Sequence, residues 1–152
     1  MAKKHELPQI KTASALAPHT VRVTFDNGVT ATVSLTSHLN RHKKVFASLL
    51  EDAELWRQLA VDEWGWDINW GEDVAVPADL LWRLHLYQSG EAMAPQDFID
   101  WMDRHSLTLD KAAALLGISR RQVAYYKSGE QLIPKTVRLA CLGASVELGK
   151  AS

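Results

Sequence analysis

Two stretches near the start of the chain alternate between apolar and polar residues, which is the pattern of strands with one buried face. The apolar positions recur every second residue: Val21, Val23 and Phe25 in the first stretch, then Val29, Ala31, Val33 and Leu35 in the second. Asp26-Asn27-Gly28 lies between them, and Asn and Gly tolerate the positive φ of a tight turn. The pattern therefore predicts an antiparallel hairpin, preceded by an extended segment from Gln9 to Ala17.

Helical spacing of apolar residues follows the hairpin and predicts a helix that starts near Ser37 or Lys43 and ends at Leu50. Its expected inward face consists of Val45, Phe46, Leu49 and Leu50. A short helical turn within 51–59 and two strands near 59–64 and 67–70 come next. Pro77 is then expected to open a helix that runs to about Gln88.

Ser89-Gly90-Glu91 is the best boundary between two domains, because turn-forming residues separate two periodic segments there. Pro95 suits the first turn of a further helix over 96–105. The 152 residues allow two small domains. We therefore predict an α+β fold, with a domain over 1–88 that combines an antiparallel sheet with helices, followed by an all-α domain over 89–152.

The stretch from Leu107 to Gly129 has the spacing of a helix, a tight turn and a second helix. Ala113 is small where two helices would cross, and Gly117 suits the left-handed backbone of the turn. Ile118 and Val123 would close the core beneath the turn. Thr108 and Ser119 are placed to cap the two helix starts, and Gly129 can end the second helix.

The outward face of the second helix carries polar and basic side chains that suit contact with the major groove of DNA. Arg can pair with guanine and Gln with adenine, and the amides of a helix start can hold a phosphate. The predicted DNA contacts are Thr108, Ser119, Arg120, Arg121, Gln122, Tyr125 and Lys127. The alternative is a helical hairpin whose basic face is merely solvated, since Arg and Lys on a helix usually serve solubility.

The segment from Leu107 to Leu139 resembles the Cro/C1-type, or lambda-repressor-like, helix-turn-helix family. Its matching positions are Leu107-Thr108, Ala113, Leu116-Gly117-Ile118-Ser119, Val123, Tyr126, Gly129 and Pro134. The resemblance implies a lambda-repressor-like domain that binds DNA. Leu109 departs from the pattern, because the family often has a phosphate-binding Gln there, and Lys127 replaces a frequent Glu.

Residues 8–86 resemble a small bacterial α+β family of unknown function. The matching features are the hairpin, Trp56-Arg57-Gln58-Leu59, the strand Asp67-Ile68-Asn69-Trp70, and Pro77-Ala78-Asp79-Leu80-Leu81. The resemblance implies a domain found alone or fused to a helix-turn-helix, in some members beside a toxin-like partner. It implies no catalytic residues.

Charge divides unevenly along the chain although the formal net charge is only -1. Residues 1–106 hold 10 Lys/Arg and 15 Asp/Glu, which gives -5, and residues 107–152 hold 7 and 3, which gives +4. DNA phosphates attract the basic part and repel the acidic part. The split therefore favours DNA binding by the carboxy-terminal third.

Other candidate sites carry less weight. Trp64, Trp66, Ile68 and Trp70 share one parity, which predicts an aromatic strand face in the core, with a ligand pocket or dimer interface as the alternative. His38 and His42 are four apart but lack a third metal ligand, and Asp62 with Glu63 would be catalytic only if buried together. No metal, cofactor or enzymatic activity is expected.

Cys141 is the single cysteine and lies in an apolar run, so we expect a buried thiol in a reducing cytoplasm. No signal peptide or membrane span is evident in the sequence. The first hypothesis is a dimeric, sequence-specific bacterial transcription regulator that binds double-stranded DNA. In one version of this hypothesis the protein is antitoxin-like and also binds a toxin-like partner. The second is a protein-interaction module, either toxin-binding or a scaffold, whose helix-turn-helix does not bind DNA.

Overall fold

The computed structural model describes residues 7–150, with the side chains of residues 7–149. The chain folds into two compact units, of which the first ends at His85 and the second begins at Leu86. The sequence placed this boundary after residue 88. Each unit has its own hydrophobic core, so the two units are described separately.

A three-stranded antiparallel sheet opens the first unit, in the order β1 (Ile10–Leu16), β2 (Thr20–Phe25) and β3 (Thr30–Ser34). The predicted hairpin is confirmed: the Phe25 amide donates to the Val29 carbonyl at 2.8 Å, and Gly28 has a φ of +90°. Every second residue of β2 is fully buried, as its alternation predicts. Among the apolar positions predicted to face inward in the two strands, only Val29, at the turn, is partly exposed.

Three short helices follow the sheet: α1 (Thr36–Arg41), α2 (Lys43–Glu51) and α3 (Ala53–Trp56). Phe46 and Leu49 are buried on α2, but the expected inward position of Val45 is wrong, because Val45 is 56% exposed. Val45 lies about 100° around the helix from Phe46, beyond the edge of the buried face. Asp52 caps α3 by accepting from the amides of Glu54 and Leu55.

A second small sheet contains β4 (Ala60–Val61), β5 (Asp67–Asn69) and β6 (Ala75–Pro77), paired antiparallel in that order. The sequence did not predict β6, which has three residues and too little alternation to be recognised. Pro77 ends this strand, and α4 (Ala78–Ser89) begins one residue later than expected.

Two stacked tryptophans join the sheets and helices of the first unit. The rings of Trp56 and Trp70 lie 5.2 Å apart, centroid to centroid, with 20° between their planes. Trp70 Nε1 donates to the Trp56 carbonyl, and Trp56 Nε1 donates to the Leu16 carbonyl, each at 2.9 Å. Both indoles are therefore buried with their polar atoms satisfied, which allows their large apolar area to contribute to stability.

The prediction of a continuous aromatic strand face is wrong for Trp64 and Trp66. Ile68 and Trp70 do enter the core, but Trp64 and Trp66 are exposed on a turn that precedes β5. The Asp62 carboxylate accepts from the amides of Trp64 and Trp66 and bends the backbone there. This side-chain-to-backbone turn ends the two-residue alternation on which the prediction rested.

After the end of α4, the described part of the second unit contains four helices, α5 (Pro95–Arg104), α6 (Leu109–Leu116), α7 (Arg120–Ser128) and α8 (Lys135–Lys150). It also contains two strands of two residues each, β7 (Ala92–Met93) and β8 (Ile133–Pro134), which pair antiparallel. The prediction of an all-α domain therefore misses one short ladder. Ile133, at 0% exposure, anchors that ladder in the core of the unit.

Helices α5 to α8 surround one apolar core. Its buried residues are Phe98, Trp101, Met102, Ala112, Ala113, Val123, Tyr126, Ile133, Cys141 and Ala144. Burial raises the pKa of the Cys141 thiol to about 11, so the neutral thiol packs as an apolar group, as expected. No helix within residues 7–150 is both long and apolar enough to cross a membrane.

Gly65→Ala should destabilise the first unit more than the same change at Gly71. Both glycines have a positive φ, +77° and +82°, where an L side chain costs about 1–2 kcal/mol. A Cβ at Gly65 would also lie 2.5 Å from the Ile10 carbonyl oxygen, whereas one at Gly71 meets nothing within 4 Å. Urea unfolding should therefore show an additional loss of about 1–3 kcal/mol for Gly65→Ala. Equal losses for the two variants would contradict this account.

Candidate nucleic-acid interface

The first helix of the predicted motif begins and ends at the residues that the sequence indicates. Thr108 caps α6, because its hydroxyl oxygen accepts from the Lys111 amide at 3.1 Å. Gly117 ends α6 in the left-handed conformation, with a φ of +73°. The Ala113 carbonyl accepts from the amides of both Gly117 and Ile118, at 2.9 and 3.0 Å. One carbonyl thus closes the helix and fixes the direction in which the chain leaves it.

The second helix is capped in the same way. The Ser119 hydroxyl oxygen accepts from the Gln122 amide at 3.0 Å, and Gly129 ends α7 at a φ of +83°. Val123 and Tyr126 point into the core, and burial raises the pKa of the Tyr126 phenol. With these two residues inward, the other side of α7 is directed to solvent.

The solvent side of α7 brings most of the predicted DNA contacts together. Arg121 Nε donates to the Tyr125 hydroxyl at 2.7 Å, and its guanidinium carbon lies 5.4 Å from the centroid of that ring. Gln122 Nε2 donates to the side-chain oxygen of Gln131, nine residues further along the chain. These contacts limit the rotamers of Arg121 and Gln122 before any partner binds. Lys127 is exposed near the end of the helix.

Two residues of this surface were not predicted from the sequence. Asp110 Oδ1 lies 3.5 Å from Arg120 Nε, so an acid of α6 faces the first base of α7. Gln131 accepts the hydrogen bond from Gln122. Both partners lie outside α7, and no local spacing rule connects them to it.

Leu109, which replaces the frequent Gln of the resembling family, is explained by packing. It is half-buried and lies against the core of the second unit. It is also the first residue of α6, directly after the Thr108 cap. The apolar side chain therefore fills the edge of the core and leaves the Thr108 hydroxyl as the polar group at the start of this helix.

The charge split needs a correction once the unit boundary is known. The second unit, residues 86–152, holds 8 Lys/Arg and 7 Asp/Glu and so carries +1, whereas residues 1–85 hold 9 and 11 and carry -2. The sequence-based division at residue 106 separated the acidic helix α5 from its own unit. Asp97 and Asp100 of α5 line a cavity of about 190 Å³ with Arg104 and Arg138. Positive charge is thus a property of the α6–α8 segment and not of the whole unit.

The weaker candidate sites belong to the first unit, not to the α7 surface, and do not form a metal-binding cluster among the residues described. The His38 and His42 rings lie 4.9 Å apart, and the pKa of His38 is lowered by burial, then by the charges of His42 and Arg41. No group of three or more His, Cys, Asp or Glu with metal-binding geometry occurs in the described part of the chain. Asp62 binds the backbone amides of its own turn, and Glu63 is exposed.

Comparison with known proteins identifies the family of the first unit. The family model of the proteins of unknown function DUF2442 matches residues 10–85, half of the chain. This chain belongs to the DUF2442 family. The predicted resemblance over 8–86 to a family of unknown function is therefore confirmed. No curated protein matches the chain.

A solved structure resembles nearly the whole chain. It is the crystal structure of protein NE0471 from Nitrosomonas europaea ATCC 19718, provisionally described as a DNA-binding protein. The two sequences are 34% identical, the match covers 90% of this chain and 85% of the other, and the TM-score is 0.53. The match therefore extends beyond the DUF2442 segment of this chain into its carboxy-terminal part.

Ser119→Ala should lower the free energy of unfolding by about 1 kcal/mol, because α7 loses the acceptor that caps its start. Ser119→Asp should keep the stability, since a carboxylate also caps and is favoured at the positive end of a helix. Thermal unfolding followed by circular dichroism measures both variants. A stable alanine variant, or equal losses in both, would show that the cap does not hold α7.

Proposed function

We propose that this protein is a sequence-specific DNA-binding protein that regulates transcription and has no enzymatic activity. The observation that carries the proposal is the pair of capped helices α6 and α7, with Arg121, Gln122 and Tyr125 oriented on the exposed side of α7. This arrangement suits a lambda-repressor-like domain whose second helix enters the major groove. The provisional description of the Nitrosomonas relative as a DNA-binding protein supports the same function.

The base-reading groups in this proposal are Arg121 and Gln122. Tyr125 holds Arg121 through its hydroxyl, so the guanidinium can approach a guanine edge with less loss of side-chain entropy. Gln131 accepts a hydrogen bond from Gln122 and so orients the Gln122 side chain. The amide of Gln122 would pair with adenine. Lys127 adds a phosphate contact at the far end of the helix.

Two helix starts supply phosphate contacts. The hydroxyls of Thr108 and Ser119 accept backbone bonds as caps and still have protons to donate. The amides of the first turn of α7 add partial positive charge. Arg120 completes the set, and on binding its exposed ion pair with Asp110 would be exchanged for a pair with phosphate.

A homodimer is part of the proposal, because one short reading helix contacts few bases and two half-sites multiply specificity. Leu139, Leu142 and Val146 are exposed along one side of α8. Their spacing of three and four residues forms a continuous apolar stripe on that helix. Gly143 lies beside the stripe, and a Cβ there would meet nothing, so the fold itself does not require a glycine. A second copy of α8 packed against the stripe accounts for both features.

The DUF2442 unit is assigned to partner binding in this proposal. Its net charge of -2 opposes contact with DNA phosphate. A toxin-like protein is one partner that fits an antitoxin-like repressor. The second candidate function, a protein-interaction module without DNA binding, is favoured by the ion pair that engages Arg120 and by the absence of a polar side chain at Leu109.

Arg120→Ala and Arg121→Ala should weaken binding to a duplex taken from upstream of the protein's own gene. Loss of a bidentate base contact at Arg121 costs about 1–3 kcal/mol of binding free energy. Loss of the phosphate contact of Arg120 mainly lowers the salt dependence, because the slope of log K against log salt falls by about one. Tyr125→Phe should cost less, about 1 kcal/mol, because it removes only the acceptor that orients Arg121. Fluorescence anisotropy across a salt series measures these effects.

Arg57→Ala is the matched control for the DNA experiment. Arg57 is an exposed arginine of the first unit, paired with Glu54 at 3.3 Å, so its removal changes the net charge by the same amount. The Arg57→Ala variant should bind the duplex with the affinity of the wild type. Absence of binding at low salt, or equal weakening by Arg57→Ala and Arg121→Ala, would favour the interaction module.

Leu142→Asp should abolish self-association, because it places a charge in the centre of the α8 stripe. Val45→Asp is the control, since Val45 and Leu142 are both 56% exposed and Val45 belongs to the first unit. Sedimentation equilibrium should find dimers for the wild type and Val45→Asp but monomers for Leu142→Asp. Dimers of equal strength in all three proteins would exclude the stripe as the interface.

A further inference from the structure

Two tryptophans of the first unit are exposed to an unusual degree. Trp64 is 66% exposed and Trp66 is 54% exposed, whereas Trp56 and Trp70 are buried in the core. Tryptophan offers a large apolar area with few rotamers, and it is among the residues most enriched at the centres of protein interfaces. Neither Trp64 nor Trp66 contributes to the core of its unit, so the fold alone does not account for the pair.

The turn that carries these side chains is held firmly. The Asp62 carboxylate accepts from the amides of Trp64 and Trp66 at 3.1 and 3.2 Å. The Gly65 carbonyl accepts from the Ile10 amide at 2.7 Å, and Gln9 Nε2 donates to the Trp64 carbonyl at 2.6 Å. These bonds tie the turn to β1. Binding to a fixed surface loses less conformational entropy than binding to a flexible one.

The surroundings of Trp64 are acidic. An open groove of about 590 Å³ beside this residue is lined by Asp26, Asp62, Glu63 and a single base, Lys11, among others. Three carboxylates and one ammonium give the groove a formal charge of -2, within a unit whose net charge is also -2. Such a surface repels nucleic acid and attracts cationic groups.

We propose that the Trp64–Trp66 turn and the adjoining groove bind an Arg- or Lys-rich segment of a partner protein. A guanidinium or ammonium group would lie over the exposed indole face of Trp64, because aromatic rings attract cations. The Glu63 carboxylate at the rim would accept hydrogen bonds from the same cation. The apolar stem of the basic side chain would pack on Trp66.

This binding site is independent of the DNA-binding proposal. It uses residues of the first unit only, and none of the predicted DNA contacts belongs to that unit. Failure of DNA binding would leave the Trp64–Trp66 site untouched, and loss of the site should leave affinity for DNA unchanged.

The test uses two fluorescein-labelled peptides of equal length, Ac-(Arg-Ala)6-amide and Ac-(Glu-Ala)6-amide, with the full chain. Anisotropy should show saturable binding of the basic peptide and none of the acidic peptide. Trp64→Ala and Glu63→Gln should each weaken binding about tenfold, which corresponds to a loss of about 1.4 kcal/mol. Glu72→Gln removes the same charge from the neighbouring turn, and Val45→Ala trims an exposed apolar residue elsewhere. Both controls should keep wild-type affinity.

Two results would overturn the proposal. One is absence of binding, or equal weakening by Glu63→Gln and Glu72→Gln, because the attraction would then be absent or nonspecific. The other is loss of self-association in Trp64→Ala, which would make a second copy the occupant. Circular dichroism of each variant must show the wild-type fold before its affinity is compared.

Discussion

The double hydrogen bond to the Ala113 carbonyl is the interaction on which the candidate interface depends. It requires a left-handed residue at Gly117, and it turns the chain so that Ser119 can start α7. Val123 and Tyr126 then fall into the core, and the basic side of α7 faces solvent as a consequence. The side chains proposed to read DNA are therefore oriented by backbone geometry and packing that involve none of them.

The sequence predicted this motif well because each of its constraints is local. A cap, a small residue at a crossing and a glycine with positive φ can all be recognised within a few positions. The hairpin around Asn27 was predictable for the same reason. Failures occurred where a distant or side-chain contact overrode periodicity: Asp62 bends the chain at Trp64, and Ile133 pairs with a strand some forty residues earlier.

Electrostatics separates the proposed roles of the two units more clearly than their folds do. The first unit carries -2 and presents exposed tryptophans beside carboxylates, which suits a basic protein segment. The second carries only +1, and its basic residues are concentrated on α6–α8 while α5 is acidic. A positive patch can thus attract phosphate although the chain as a whole is nearly neutral.

Nuclear magnetic resonance of the ¹⁵N-labelled chain, titrated with the duplex from upstream of its own gene, tests the central claim most directly. DNA binding through α7 predicts chemical-shift changes concentrated at the amides of residues 119–127 and near Thr108, while the amides of residues 10–85 stay unchanged. Changes concentrated in residues 10–85, or none at low salt, would contradict the account.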